Sequence, residues 1–224
     1  MAMIIAKMTP LERILPNPWQ PRESEDAEHI KALALDIAAH GLLQKPVGRI
    51  VNGDGLPVGE WNGSFDGRWS VQLAFGHSRL AAYKWLRDVQ DNSNIPGDWA
   101  YLPIIIQELS DVQMCEMAIS ENLQRRDLTP IEVAKAMSRY RSEFGKTSAE
   151  IGALFGLSDS AVRNKMRLVE LPEAAQDALE SGKITEHAAR RLLSLKDTLK
   201  PEAVGEIAQE LATRQFEKPE MVDR

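Results

Sequence analysis

The segment that most constrains this chain runs from Thr147 to Leu168, TSAEIGALFGLSDSAVRNKMRL. Thr147 and Glu150 stand in Thr-x-x-Glu spacing, the capping box of a helix start. Ile151 and Leu154 face inward, and Gly152 is small where a second helix must cross closely. Gly156 falls at a turn, where a left-handed backbone is cheap only for Gly or Asn. Leu157 plugs the core beneath that turn. Ser158 caps a second helix packed through Ala161, Val162, Met166 and Leu168. A small residue, a Gly four positions on and an aliphatic six further on is the helix-turn-helix spacing. The second helix then turns Asp159, Ser160, Arg163, Asn164 and Arg167 outward. Arg and Asn suit bidentate contact with guanine and adenine edges. Ser158, Ser160 and Lys165 suit phosphates, and Thr147 joins them as a DNA-contact candidate. Two readings stand for Asp159. It accepts from a cytosine amino group, or it favours the helix dipole and touches nothing.

Net charge bears on that expectation. The 224 residues include 27 Lys+Arg and 33 Asp+Glu, a formal charge of −6. The acidity is not uniform: residues 121–170 are net +2, while residues 1–120 and 171–224 are net negative. A mildly basic patch on an acidic body is compatible with DNA, with specific contacts and avidity carrying more of the binding. One cysteine, Cys115, excludes a disulfide framework and a CxxC site. It lies beside Met114 and Met117 on an amphipathic stretch and reads as core. The four His, at 29, 40, 77 and 187, show no metal-ligand spacing. No apolar run approaches the roughly 18 residues of a membrane span. The N-terminus lacks the pattern of a signal peptide. The expected location is the cytoplasm, with no membrane partner.

The first half mixes strand and helix signals. Three prolines in Pro16-Asn17-Pro18-Trp19-Gln20-Pro21 exclude helix and favour an extended loop. Ser24 to His40 reads as a helix with Ile30, Leu33, Ala34, Ile37 and Ala38 inward, stopped by Gly41. Val47 to Val51 and Arg68 to Phe75 read as a strand pair joined by a long Gly/Asn/Asp-rich segment, 52–67. That segment is either a partner-facing insertion or a tolerated excursion. Gly76-His77-Ser78-Arg79 opens a helix, and Leu102 to Gln107 is a short buried strand. From Ser110 onward every periodic segment reads as helix. The expected class is α+β, a small mixed-sheet domain followed by an all-α domain. The expected bounds are 1–125, 126–212 and a polar tail at 213–224.

Three segments together resemble the ParB partition proteins. They are Asn17-Pro18-Trp19-Gln20-Pro21-Arg22, Gly76-His77-Ser78-Arg79-Leu80-Ala81-Ala82, and Glu121-Asn122-Leu123-Gln124-Arg125-Arg126-Asp127-Leu128. The third runs into Thr-Pro-Ile-Glu and then the helix-turn-helix. The resemblance implies a ParB/sulfiredoxin-like N-terminal domain that binds CTP with Mg2+, hydrolyses it slowly, and closes a dimeric clamp on DNA. It also implies a helix-turn-helix domain reading a palindromic, centromere-like site, a homodimer, and a ParA-type ATPase partner. A separate C-terminal dimerisation domain is usual in the family. Only about two dozen residues follow position 200, so the chain is expected to lack one.

By the same resemblance, CTP contacts are Gln20, Arg22, Gly76, His77, Ser78, Arg79, Glu121, Asn122, Arg125 and Arg126. Glu121 and Asn122 are the metal donors, and Glu121, Gln20 and Arg22 serve hydrolysis. Elementary chemistry supports an anion site independently. Gly76 lets backbone approach a ligand, and the helix after it offers free amides and a positive dipole end. Glu121 and Asn122 are oxygen donors suited to a hard cation.

The second segment departs from the family, where Glu and Arg usually occupy the positions of His77 and Ser78. Loss of a cation there weakens triphosphate binding. His77 is either a ligand or a helix-start residue that caps or stacks. Trp19 is either packing or a nucleotide or partner contact. Sulfiredoxin chemistry needs Cys where His77 stands. The alternative reading is a plasmid or phage regulator of the same fold without nucleotide switching. A nuclease is disfavoured, since no two-metal acidic cluster is evident.

Overall fold

The computed structural model describes residues 5–20, 26–59, 61, 63, 68–90, 95–125, 128–196 and 198–216. The chain forms two compact units, Met1–Glu121 and Asn122–Arg224.

The first unit is built on a mixed sheet. Its strands are β1 (Ile5–Pro10), β2 (Ile14–Leu15), β3 (Val47–Val51), β4 (Ser70–Phe75) and β5 (Tyr101–Ile106). Their order across the sheet is β1-β5-β3-β4-β2. β1–β5 and β3–β4 pair antiparallel, and β3–β5 and β2–β4 pair parallel. The β3–β4 pair is the strand pair expected from the sequence. At the start of the excursion between them, the Asn52 side chain accepts from the Asp54 and Leu56 amides. That is the local turn chemistry Asn favours.

β1 was not expected, and its burial shows why. Thr9 is fully buried on one side while Met8 is 57% exposed on the other. Polar-in, apolar-out inverts the alternation by which strands are recognised. Its six-residue register with β5, Ile5↔Ile106 to Pro10↔Tyr101, makes the strand.

Period-2 alternation along β4 divides the core. Val71 and Leu73 point to one face, where α1 (Ala27–His40) and α2 (His77–Gln90) pack through Ala34, Ile37, Leu80, Tyr83 and Leu86. Ala74 points to the other face, against Met114 and Met117 of α3 (Asp111–Arg125) and against Trp19. Cys115 is buried in α3, in keeping with its expected place in the core. α1 is capped by Asp26, whose carboxylate accepts from the Glu28 amide. The expected start at Ser24 lies outside the described residues.

The second unit is all helical: α4 (Pro130–Phe144), α5 (Ser148–Phe155), α6 (Asp159–Met166), α7 (Glu173–Glu180), α8 (Glu186–Leu195) and α9 (Pro201–Phe216). Ile131, Ala134, Leu168, Ala175, Leu179, Leu192, Val204 and Ala208 share one core. α9 runs to Phe216, past the expected end of the helical domain at 212. Ala212 extends the buried Val204–Ala208 stripe by one more turn, which keeps that segment helical despite its polar neighbours. Among the described residues, no helix is long and apolar enough to cross a membrane.

Two glycines decide the α5–α6 corner. A Cβ on Gly152 would lie 2.4 Å from the Leu157 carbonyl oxygen. The Leu157 amide donates to the Gly152 carbonyl at 2.9 Å. Gly156 adopts φ 65°, ψ 34° with open space around it. Gly152→Ala should therefore destabilise the second unit by about 2 kcal/mol or more, because the obstacle is backbone. Gly156→Asn should cost under about 1 kcal/mol, since Asn tolerates that conformation. Thermal unfolding of the two variants checks the ordering.

Candidate functional site

In the first unit the turn from β4 into α2 is the focus. Gly76 has φ 99°, and a Cβ there would lie 2.8 Å from Pro46. The glycine thus serves the turn and its packing on Pro46. Arg79, one turn into the segment, donates to the Gln44 side-chain oxygen at 2.6 Å on the surface. Ser78 is 3% exposed.

His77 begins α2, and its Nε2 accepts from the Asn17 amide at 3.0 Å. Burial pushes its pKa from the usual 6.5 down to about 4. The ring is therefore neutral, and an accepting Nε2 puts the proton on Nδ1. Nδ1 is itself buried and has no hydrogen-bond partner in the structure. Of the two readings of His77, the structure gives it a fold contact through Nε2 and leaves one donor over.

Asn17 is buried and uses every polar group it has. Its side-chain amide donates to the Ala74 carbonyl at 2.8 Å and the Met114 carbonyl at 3.0 Å. Its side-chain oxygen accepts from the Trp19 amide at 2.9 Å, and its own carbonyl accepts from Gln20 at 3.2 Å. The proline-rich loop is thereby fastened to β4, α2 and α3. Trp19 packs against Val47, Ala74 and Met114, so it is core.

Above the Trp19 ring, at 6.0 Å, lies the Arg49 guanidinium. Arg49 sits on β3 with its side chain 4% exposed. Its Nε and Nη2 donate to Gln72 Oε1, Nη1 to the Leu109 carbonyl, and Nη2 also pairs with Asp111 at 2.6 Å. Sequence reasoning passed over it, because an Arg inside Val-Gly-Arg-Ile-Val reads as an outward strand residue.

The third segment lies at the end of α3. Glu121 is half-buried, and Asn122 is 2% exposed. The Met114 carbonyl that Asn17 holds is seven residues earlier, roughly 10 Å along the axis. Arg22, Arg126 and the Arg125 side chain fall outside the described residues. Among the described residues, no cluster of three His, Cys, Asp or Glu could hold a metal ion by itself. The structure brings segments 17–20 and 76–79 into direct contact and ties the start of α3 to the first of them.

In the second unit, Thr147 accepts from the Glu150 amide, and Glu150 accepts from the Thr147 amide and hydroxyl. These bonds hold the Glu150 carboxyl below its usual range, the Thr147 backbone contributing most. Thr147, a DNA-contact candidate, is thus engaged in the cap. On α6, Ser158 caps through the Ala161 amide, and its hydroxyl lies 3.1 Å from that of Ser160. Val162 is buried, while Arg163, Asn164 and Arg167 are exposed. Asp159 pairs with Arg163.

Lys165 differs from its expected phosphate contact. Its ammonium pairs with Glu186 at 2.7 Å, with both side chains less than a third exposed. The pair fixes the first turn of α8 beside α6. α8 then turns His187, Arg190 and Arg191 outward. These were not singled out from the sequence, though burial of Ala189, Leu192 and Leu193 on one face was enough to place them.

Comparison with known proteins agrees with this architecture. Residues 3–123 match the ParB N-terminal domain, and residues 126–220 match the ParB HTH domain. The chain belongs to the ParB family. The nucleoid occlusion protein of Geobacillus thermodenitrificans (strain NG80-2) is 34% identical over 215 residues, 96% of this chain and 66% of that protein. That of Bacillus subtilis (strain 168) is 33% identical over 187 residues, 84% of this chain and 57% of that protein. This ParB-family chain thus spans 57–66% of the length of these two relatives. Among solved structures, it resembles C-terminally truncated chromosome-partitioning protein ParB from Caulobacter crescentus, complexed to the centromeric parS site. That match has TM-score 0.53 and 26% identity, covering 91% of this chain and 99% of the other.

A buried neutral His gives a signed pH effect. Its folded pKa lies below the ordinary value, so stability is fully present above about pH 6.5. It is lost as pH falls from there toward about 4, where the unfolded chain binds about one more proton. Urea unfolding of His77→Gln, whose amide oxygen can still accept from Asn17, should show a shallower loss over that window than the native chain. Parallel curves would exclude His77 as the source.

Proposed function

We propose that this chain is a sequence-specific, double-stranded DNA-binding protein of DNA segregation, and that its N-terminal unit is a CTP-responsive switch. The observation that carries the DNA reading is α6, a capped helix with exposed Arg163, Asn164 and Arg167, tied to α8 by the Lys165–Glu186 pair. Arg163 and Asn164 read base edges in the major groove. Arg167, with Arg190 and Arg191 of α8, contacts phosphates. A palindromic site and a homodimer follow from the family's mode of reading, since two-fold protein symmetry is mirrored in the operator. A ParA-type ATPase is the partner that a segregation role requires.

The nucleotide reading rests on the start of α2. A helix N-terminus, the Arg79 guanidinium and the leftover Nδ1–H of His77 make a donor set that fits phosphate oxygens. Glu121, a half-buried carboxylate at the end of α3, fits a hard cation that draws its other ligands from phosphate and water. Mg2+ there would neutralise triphosphate charge. Asn122, the next residue and 2% exposed, is the second oxygen donor for that ion. Gln20, held on the Asn17 loop, lies on the segment that adjoins the same turn. CTP shifts the protein toward a closed clamp only by binding that form better than the open one. Slow CTP hydrolysis, with Glu121, Gln20 and Arg22 serving it, would reset the switch.

One observation favours the simpler alternative, a DNA-binding regulator without a switch. Ser78 is buried, and His77 faces Asn17 through one of its two nitrogens, so half of the four-residue turn is occupied by the fold.

Two measurements decide. Radiolabelled CTP with Mg2+ should be retained in preference to ATP and GTP, and turned over faster with DNA selected from a randomised duplex library. Absence of CTP binding at millimolar nucleotide leaves the regulator. Arg190→Ala should weaken binding to the selected duplex several-fold and reduce the salt slope by about 1, without changing base preference. A changed base preference would assign α8 to direct readout instead.

A further inference from the structure

We infer that Asp159 is a specificity-determining residue that acts through Arg163, holding the guanidinium so that one edge is presented to a guanine. The inference rests on the DNA-reading function proposed above. Asp159 is the first residue of α6, and Arg163 is one turn on; the Asp159 carboxylate accepts from Arg163 Nη1. The cap of α6 is supplied by Ser158, so the Asp159 carboxylate is not needed for capping.

Neither reading of Asp159 made from the sequence alone accounts for that pair. The dipole reading has Asp159 touch nothing, whereas one of its carboxylate oxygens is engaged by Arg163 at the i,i+4 spacing at which helix side chains meet. With Nη1 held by Asp159, the edge formed by Nε and Nη2 is the one left to donate. Two parallel N–H groups match O6 and N7 of guanine. Both side chains are about half exposed, 56% for Arg163 and 45% for Asp159, so the pair adds little to folding. Its effect is on binding: an Arg whose rotamers are already restricted loses less freedom when it meets the base. The carboxylate also repels phosphate, so an Arg163 that slides toward the backbone leaves an unpaired negative charge behind. That penalises non-cognate complexes more than the cognate one.

A double-mutant cycle on the full chain tests this. The native protein, Asp159→Asn, Arg163→Ala and the double variant are titrated against the selected duplex. Each is also titrated against duplexes changed at every base pair in turn. Circular dichroism confirms that each variant is folded. Asp159→Asn and Arg163→Ala should lose discrimination at the same G·C pair. The Asn variant should lose about two- to tenfold, and the double variant should be no worse than Arg163→Ala. Loss at a different base pair, additive with Arg163→Ala, would overturn the inference in favour of direct cytosine contact. Unchanged preferences in Asp159→Asn would also overturn it. If Arg163→Ala itself alters no base preference, the base-reading role proposed for Arg163 fails, and this inference with it; if neither the native chain nor any variant binds a duplex selectively, the DNA-reading function fails instead.

Discussion

The N-terminal unit depends on the burial of one amide side chain. Asn17 is out of water, and each of its polar groups meets a partner on a different element: the β4 carbonyl of Ala74, the α3 carbonyl of Met114, the Trp19 amide and the His77 ring. A buried polar group left unmatched costs more than a matched one gains. This loop therefore has one stable seat. Proline on both sides limits the conformations it must give up to take that seat. The consequence is functional geometry, because the same residue joins the proline-rich loop to the start of α2 and the start of α3.

Arg49 works beside it on the same face of the sheet. A buried guanidinium is tolerable only if its donors are satisfied, and Gln72, Leu109 and Asp111 satisfy them. Through these contacts the turn before α3 is bound to β3 and β4, and Trp19 is covered by the cation. In the second unit the Lys165–Glu186 pair has the corresponding place. It links α6 to the first turn of α8.

The helical half of the protein was legible because its signals are local. Capping boxes at Thr129–Glu132 and Thr147–Glu150, the left-handed Gly156 and the 3.6-residue spacing of apolar side chains each act within a few residues. The β3–β4 pair and the long helices α1, α2 and α3 were legible for the same reason. β1 was not, since it buries Thr9 and exposes Met8, and only pairing with β5 makes it a strand. Among the site residues, the outward set on α6 was legible from periodicity. The burial of Ser78 and the pairing of Lys165 with Glu186 were not, because neither follows from local spacing.

By itself the sequence determined the two-unit plan, the presence and order of the long helices, and α6 with its outward Arg163, Asn164 and Arg167. Those follow from short-range sterics, capping and hydrophobic period. Tertiary structure alone decided how the candidate residues divide between holding the fold and facing a ligand. His77 accepts from Asn17, Ser78 is buried and Lys165 pairs with Glu186. That division turns on which buried polar groups find partners, and a partner 60 residues away along the chain is a property of the folded core.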